Sequence, residues 1–459
     1  MTTETTNYAA DAGRVADLQR DLRAGALTAS ALVERYLARI DAVDPHVQAW
    51  RHVARDSARA EAAALDREAA DGRWRGPLHG IPVGIKDIID VAGITTLANS
   101  RSRDGSAPAA ADADIVAVLR RAGAVILGKT HTTEFAYFDP SPARNPHNIG
   151  HTPGGSSSGS GAAVGAGTVP LALGTQTVAS VNRPAAYCGI AAFKPSTQST
   201  CTYGIAPLAP MFDTVGFYGA TVADAVALYD AVAPAFGAAF DRATGRTLVQ
   251  LEDPALASCD RVLLDGTARA AAIFTDAGFT VRKVAAPESW ATLFEIQVRA
   301  MQYEASRIYR PLLDQGLGPK LREMIALGLS HSDATYRDDC ARLAAARARL
   351  WPAVTDAAAV LFPATPATAP AGLASTGDPR YIAPWTALGG PIVTQPLGVH
   401  PNGLPYGMLV CGAPGTDRAL ARTAIDLAAA YARATSAAGA KPRALNKAAR
   451  RTAAPRSES

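Results

Sequence analysis

The chain is poor in several features that mark large protein classes. It holds 5 cysteines in 459 residues (Cys188, Cys201, Cys259, Cys340 and Cys411), an odd number, widely spaced and without a CxxC pair. That spacing excludes a disulfide framework and offers no structural zinc pattern. No run of about 18 apolar residues occurs, so no membrane span is expected. The first residues, MTTETTNYAADAG, contain neither a basic nor an apolar leader segment, and a cytoplasmic location is expected. Lysine is scarce too. Lys and Arg together number 45, yet lysine stands only at positions 86, 129, 194, 283, 320, 441 and 447.

Positive charge is also missing where a nucleic-acid binder would need it. The formal net charge is +4, but residues 437–459 (AAGAKPRALNKAARRTAAPRSES) carry six basic residues and one acid. Without them, 39 basic residues face 40 acidic ones, and the body has no basic field to attract DNA or RNA. The tail itself is aperiodic and is expected to be solvated and disordered.

What is present is a large apolar fraction. With 48% hydrophobic and 19% charged residues, the chain can bury an extensive core. Residues 12–42 show helical spacing (Val15, Leu18, Leu22, then Leu32, Tyr36, Leu37, Ile40) with a break at Gly25, and Thr28 is placed to start the second helix. Residues 53–70 form an Ala-rich helical stretch. The segment 76–94, GPLHGIPVGIKDIIDVAGI, is β-branched and punctuated by Gly and Pro, as a strand with tight connections would be. An amphipathic helix at 112–122 precedes a short strand at 124–128, and this alternation indicates an α/β core. Residues 221–236 and 246–350 carry mixed helix and strand signals, apolar segments recur at 357–362 and 390–399, and a final helix is expected at 417–434.

Two motifs satisfy familiar patterns and fail on context. Residues 123–130, GAVILGKT, match the phosphate-loop pattern, but a helix precedes Gly123 and the intervening AVIL is itself a strand. Four apolar β-formers cannot wrap phosphates while pairing in a sheet. Residues 155–159, GSSSG, match the nucleophile-elbow pattern, but the preceding RNPHNIGHTPG makes a poor strand, and His331 and His400 are the only downstream histidines.

Three separated elements carry more. Lys86 lies between apolar residues in GIPVGIKDIID. Ser156 follows two glycines. Ser180 stands 24 residues later in GTQTVASVNRPAAYCGI. Singly, each has a bland explanation: a lysine that snorkels to the surface, a loop serine, a turn. Together they resemble the amidase signature family. GGSSSGSGAAV, then G-T-x-T-x-x-S-x-x-x-P-A and a GxxxFKPS stretch, follow its signature, and GIPVGIKD resembles its lysine segment. GKTHTTEFA, LRAGALTASALVERYLARIDAVDP, LFPATPATAP and NGLPYGMLVCG resemble further family segments, so the likeness covers most of the chain. The text also resembles a metagenomic urethanase branch of the family that cleaves small aryl carbamates.

The resemblance implies an α/β amidase signature fold, a large mixed central β-sheet covered by helices on both faces. It implies one domain over 1–436, with N-terminal helices at 10–72, the signature core at about 76–220 and the remainder at 221–436. It makes Ser180 the nucleophile, Ser156 a proton relay after a cis peptide bond, and Lys86 the base. A serine hydroxyl needs such a base, and a lysine among Ile85, Ile88 and Ile89 can be kept neutral by desolvation, as arginine cannot. The oxyanion hole would be the backbone N–H groups of Thr177, Val178, Ala179 and Ser180. No metal or cofactor enters.

Two departures stand out. Many members carry two glycines before the nucleophile, where this chain has Val178 and Ala179. Many carry Asp at the position of Gln176 and Arg two residues after the nucleophile, where this chain has Asn182. An amide–amide hydrogen bond in place of a buried ion pair is the expected compensation. Arg183 is either structural or a partner for a substrate carboxylate.

For the substrate, Phe135–Arg144 (FAYFDPSPAR) with Tyr137, Phe138 and Ser141 is expected near the acyl side. Pro207 in APLAPM and Ile392 in IVTQPL are expected in the other walls. An apolar cleft fits small aryl or alkyl amides, esters and carbamates, turned over by a monomer or homodimer. The alternatives are an amidase for a small carboxylated amide and a glutaminase-type amidotransferase subunit.

Overall fold

The computed structural model describes residues 7–237 and 245–437. All but the first residue of the basic tail lie outside that range. Among the described residues, eleven strands form one mixed sheet: β1 (Trp50–Val53), β2 (Pro82–Lys86), β3 (Val125–Thr130), β4 (Leu171–Gln176), β5 (Ala191–Lys194), β6 (Thr214–Gly219), β7 (Thr247–Glu252), β8 (Thr280–Ala285), β9 (Ala357–Pro363), β10 (Ile392–Val399) and β11 (Pro405–Cys411). Their order is β1-β3-β2-β4-β6-β5-β10-β11-β9-β7-β8. This is the mixed α/β class and the large sheet that the sequence implies.

The sheet is built in two sequence-contiguous halves. β1 to β6 occupy one side, β7 to β11 the other, and the seam is the antiparallel pairing of β5 with β10 at Phe193↔Val393. β2 runs parallel to both β3 and β4. Every residue of β2, β3 and β4 is buried, which is why these segments read as nearly unbroken apolar or small-residue runs. β8 closes the far edge with Arg282 and Lys283, charges that discourage pairing with another chain.

The helices follow their local signals. Residues Val15–Arg23 and Ala29–Val47 are helical, and Gly25, at φ 69°, supplies the left-handed turn that separates them. Thr28 caps the second helix by accepting from the Ala31 N–H at 3.1 Å. The stretch at 53–70 is the helix Arg55–Ala70, and that at 112–122 is Asp114–Arg121. In the phosphate-loop look-alike, β3 contains the second glycine and leaves no loop between the two. No helix among the described residues is long and apolar enough to cross a membrane.

Candidate active site

Lys86 is the last residue of β2 and is fully buried. Its register partner on β3 is Thr130, so its side chain leaves the sheet on the same face as Thr130, whose hydroxyl bonds Ser160 on the helix Ser158–Gly165 at 2.7 Å. On that face Lys86 Nζ shares a hydrogen bond of 2.8 Å with Ser156 Oγ and donates to Thr175 Oγ1 at 2.7 Å. Burial pushes the ammonium well below the ordinary lysine value, and the charge of Asp213 draws it part of the way back. Neutral lysine has two N–H bonds and a lone pair. Thr175 takes one N–H, which leaves the lone pair free to face the Ser156 hydroxyl.

Ser156 follows a cis peptide bond, Gly155–Ser156. Gly155 is required there by space: a Cβ would lie 2.7 Å from Thr376 Cγ2 and 3.2 Å from Thr133 Cγ2. Its carbonyl accepts from Arg183 Nη2 at 2.8 Å. Ser180 begins the turn into the helix Asn182–Cys188, and its carbonyl accepts from the Ser157 N–H at 3.3 Å, which sets the two serine segments side by side.

The loop before Ser180 has an unusual hydrogen-bond pattern. Gln176 Oε1 accepts the N–H groups of Val181 (2.8 Å) and Asn182 (3.0 Å), and Gln176 Nε2 donates to Asn182 Oδ1 at 2.8 Å. The expected amide–amide bond therefore exists, and it also caps the helix. The four N–H groups just upstream, on Thr177, Val178, Ala179 and Ser180, donate to no acceptor among the described residues, although all four residues are buried. Neither Val178 nor Ala179 has a positive φ, so the turn tolerates side chains where glycines are commoner.

Two cavities flank this centre. One, of about 420 Å³, is lined by Ile88, Thr175, Thr177, Ile205, Pro207 and Asp213 among others. Asp213 accepts from the Thr177 hydroxyl at 2.5 Å and from the N–H groups of Leu208 and Ala209. Burial raises its pKa against those bonds. The other, of about 370 Å³, is lined by Tyr137, Phe138, Lys320, Met324, Thr376 and Gly377. Thr376, on the wall of the second cavity, adjoins the space beside Gly155, and Thr175, on the wall of the first, bonds Lys86.

The structure thus gathers Lys86, Ser156, Ser180 and residues 177–179, and puts Pro207, Tyr137 and Phe138 on cavity walls. Three others fall elsewhere. Ser141 is buried, its hydroxyl bonded to Ser158 Oγ at 2.6 Å. Ile392 is an interior sheet residue, paired with Lys194 and Cys411, and lines neither cavity, because the register of β10 turns it into the core. Arg183 is buried and occupied: besides Gly155 O it donates to Thr376 Oγ1 (2.9 Å) and Gly377 O (2.6 Å), and burial lowers its pKa to about 10. Thr175, Asp213, Thr376, Gln297 and Thr386 escaped the sequence reading. Thr175 alone had a signal, as the first threonine of the G-T-x-T stretch.

A mixed α/β sheet carrying a buried lysine bonded to a serine, beside a second serine and a row of free N–H groups, has the architecture of the serine-dependent amidases. The family described as Amidase matches residues 31–421, and the chain belongs to it. Among curated relatives, a glutamyl-tRNA(Gln) amidotransferase subunit from Chloroflexus aurantiacus (strain ATCC 29366 / DSM 635 / J-10-fl) is 32% identical, over 88% of this chain and 93% of that protein. Its namesake from Synechococcus sp. (strain CC9311) is 30% identical, over 87% and 93%. Among solved structures, native peptide amidase from Stenotrophomonas maltophilia superposes with a TM-score of 0.78 at 30% identity, covering 92% of this chain and 97% of that one.

Proposed function

We propose that the chain is a stand-alone amidohydrolase that cleaves amide, ester and carbamate bonds of small apolar or aryl substrates through an acyl-enzyme. The observation that carries this reading is the 2.8 Å bond between Ser156 and a fully buried Lys86 whose pKa burial depresses. Neutral Lys86 takes the Ser156 proton as Ser156 takes that of Ser180, and Ser180 Oγ attacks the carbonyl carbon. The oxygen becomes an oxyanion facing the N–H groups at 177–180. The proton returns through Ser156 to the leaving nitrogen or oxygen, the bond to it breaks, and water releases the acyl group by the same relay. The cavity at Pro207 and Ile205 takes the apolar part of the substrate. Arg183, occupied by the Gly155 and Gly377 carbonyls, supports the Ser156 segment and does not favour a carboxylated substrate.

The relatives favour a second reading, a glutaminase-type amidotransferase component. Against it stands the Gln176–Asn182 pair where such proteins typically carry Asp and Arg. A panel of p-nitroanilides, p-nitrophenyl esters and aryl carbamates, tested on the purified single chain, separates the readings. Turnover of anilide and ester supports the hydrolase, and amine and alcohol release from the carbamate supports urethane cleavage. No turnover of the panel, with glutamine turnover only when partner subunits are added, overturns the hydrolase and supports the second reading.

A further inference from the structure

Four successive buried residues whose N–H groups find no acceptor need a physical cause, because the backbone donors of buried residues are almost always paired. The carbonyls of the same four residues are all taken. Thr177 O accepts from Gln297 Nε2 (2.9 Å), Val178 O from Thr386 Oγ1 (2.7 Å), and Ala179 O from the Arg183 N–H (3.0 Å). Ser180 O accepts from the Ser157 N–H and from Tyr218 Oη (3.2 Å). In a planar trans peptide the C=O of one residue and the N–H of the next point in opposite directions. Each bond that draws a carbonyl outward therefore turns the following N–H the other way. The Arg183 bond that sets the Ser180 N–H is local, part of the first helical turn. The bonds that set the Val178 and Ala179 N–H groups come from residues 120 and 208 positions away.

Both remote side chains are fully buried, Gln297 on the helix Trp290–Tyr309 and Thr386 on the helix Ala383–Ala387. Thr386 accepts from Gln176 Nε2 at 2.9 Å. Its single proton then goes to Val178 O at 2.7 Å in preference to Ile382 O at 3.5 Å. The Gln297 carboxamide spends its donor on Thr177 O while its own Oε1 finds no partner among the described residues.

We propose that Gln297 and Thr386 are positioning residues that aim the Val178 and Ala179 N–H groups at the oxyanion, two clamps supplied by helices outside the signature core. The proposal rests on the hydrolase reading above. It is tested by comparing Thr386→Val, which keeps the shape and removes the hydroxyl, with Thr386→Ser, which restores it, and with Gln297→Met. Each is measured for kcat and KM on a p-nitroanilide, for thermal midpoint, and for inhibition by 2,2,2-trifluoroacetophenone. With that ketone the Ser180 Oγ–carbon bond forms, the carbonyl π pair moves to oxygen as an alkoxide, and the serine proton passes through Ser156 to Lys86.

Misaiming one donor should lower kcat and ketone affinity in parallel by about tenfold, less than the loss of a whole donor, with KM held within about twofold. Thr386→Ser should regain most of both. A merely structural role would lower the thermal midpoint without this parallel loss. Thr386→Val and Gln297→Met with kcat and ketone affinity within about twofold of the parent would overturn the clamps. If Thr386→Val does not fold, Gln297→Met against Thr386→Ser decides on the same criterion. Parent protein that turns over substrate beside two unaffected variants sinks the clamps alone. Inactive parent protein sinks the hydrolase reading and the clamps with it.

Discussion

Two buried lysines end up on neighbouring parallel strands, in opposite surroundings. Lys86 closes β2 and Lys129 lies in β3, and because Ile85 is the register partner of Lys129, the two lysines leave the sheet on opposite faces. Both are fully buried, and burial lowers the pKa of both. Lys129 meets Asp87 at 2.8 Å and the Thr96 hydroxyl at 2.9 Å, and Asp87 opposes the lowering. Lys86 has hydroxyls of Ser156 and Thr175 for neighbours and, among the described residues, no carboxylate within bonding distance. Lys129 thus has a carboxylate partner on one face, and Lys86 has only hydroxyl partners on the other. On the hydrolase reading, the partners of a buried lysine, more than its burial, separate a structural cation from a base.

The sharpest way to break this comparison is Lys86→Met. Hydrolysis should fall by about four orders of magnitude, measured as kcat/KM on an ester. Stability should not fall with it. The folded-state pKa lies below the unfolded value, so the unfolded chain binds a proton that the folded chain does not, and the lysine destabilises the fold at every pH below about 10.4. Lys86→Met should therefore hold or raise the thermal midpoint at neutral pH, with the gain shrinking as pH rises. A midpoint that drops would mean that Lys86 is charged and paired. Ser156→Ala should lower kcat by about three orders of magnitude, since the lysine then has no path to Ser180. Only a modest loss would show that Lys86 reaches the nucleophile directly.

Lys129→Met should do the reverse. It leaves Asp87 buried without its cation and should destabilise by about 3–5 kcal/mol in urea unfolding. The molecules that remain folded should keep turnover within about tenfold, because Lys129 lies on the far face of the sheet. Near-normal stability would refute the assignment of the charge to that pair. The smallest effect is expected for Thr175→Val. The ammonium form of Lys86 loses an acceptor, so the acid limb of the kcat/KM–pH profile should move to lower pH, with the plateau about tenfold down. A limb that moves to higher pH would show that Thr175 donates to the lysine.

Much of this was legible in the sequence where chemistry and short spacing coincide. Lys86 announced itself by standing between isoleucines in a lysine-poor chain, and Ser156 and Ser180 by a Gly/Ser-rich context at a 24-residue interval. The Gln176–Asn182 bond was legible because the two departures from the family pattern compensate each other six residues apart. Ile392 was misplaced because an apolar residue in a strand reads alike on either face, and only the pairing with β5 and β11 fixes which side it takes. Gln297 and Thr386 left no trace, since a single buried amide or hydroxyl in an ordinary helix acquires meaning only from a carbonyl brought to it from far along the chain.

The seam between β5 and β10 bears on how the protein is made. During synthesis, the lysine and both serines have all emerged once residue 180 leaves the ribosome, and β6, the last strand of the first half-sheet, ends at residue 219. The strand that closes on β5 begins at residue 392, and the helices that hold the Thr177 and Val178 carbonyls begin at 290 and 383. A nascent or prematurely terminated chain would carry Lys86, Ser156 and Ser180 and still lack the two helices that hold those carbonyls. On the hydrolase reading, full reactivity would come only near the end of translation, once both clamping helices are in place.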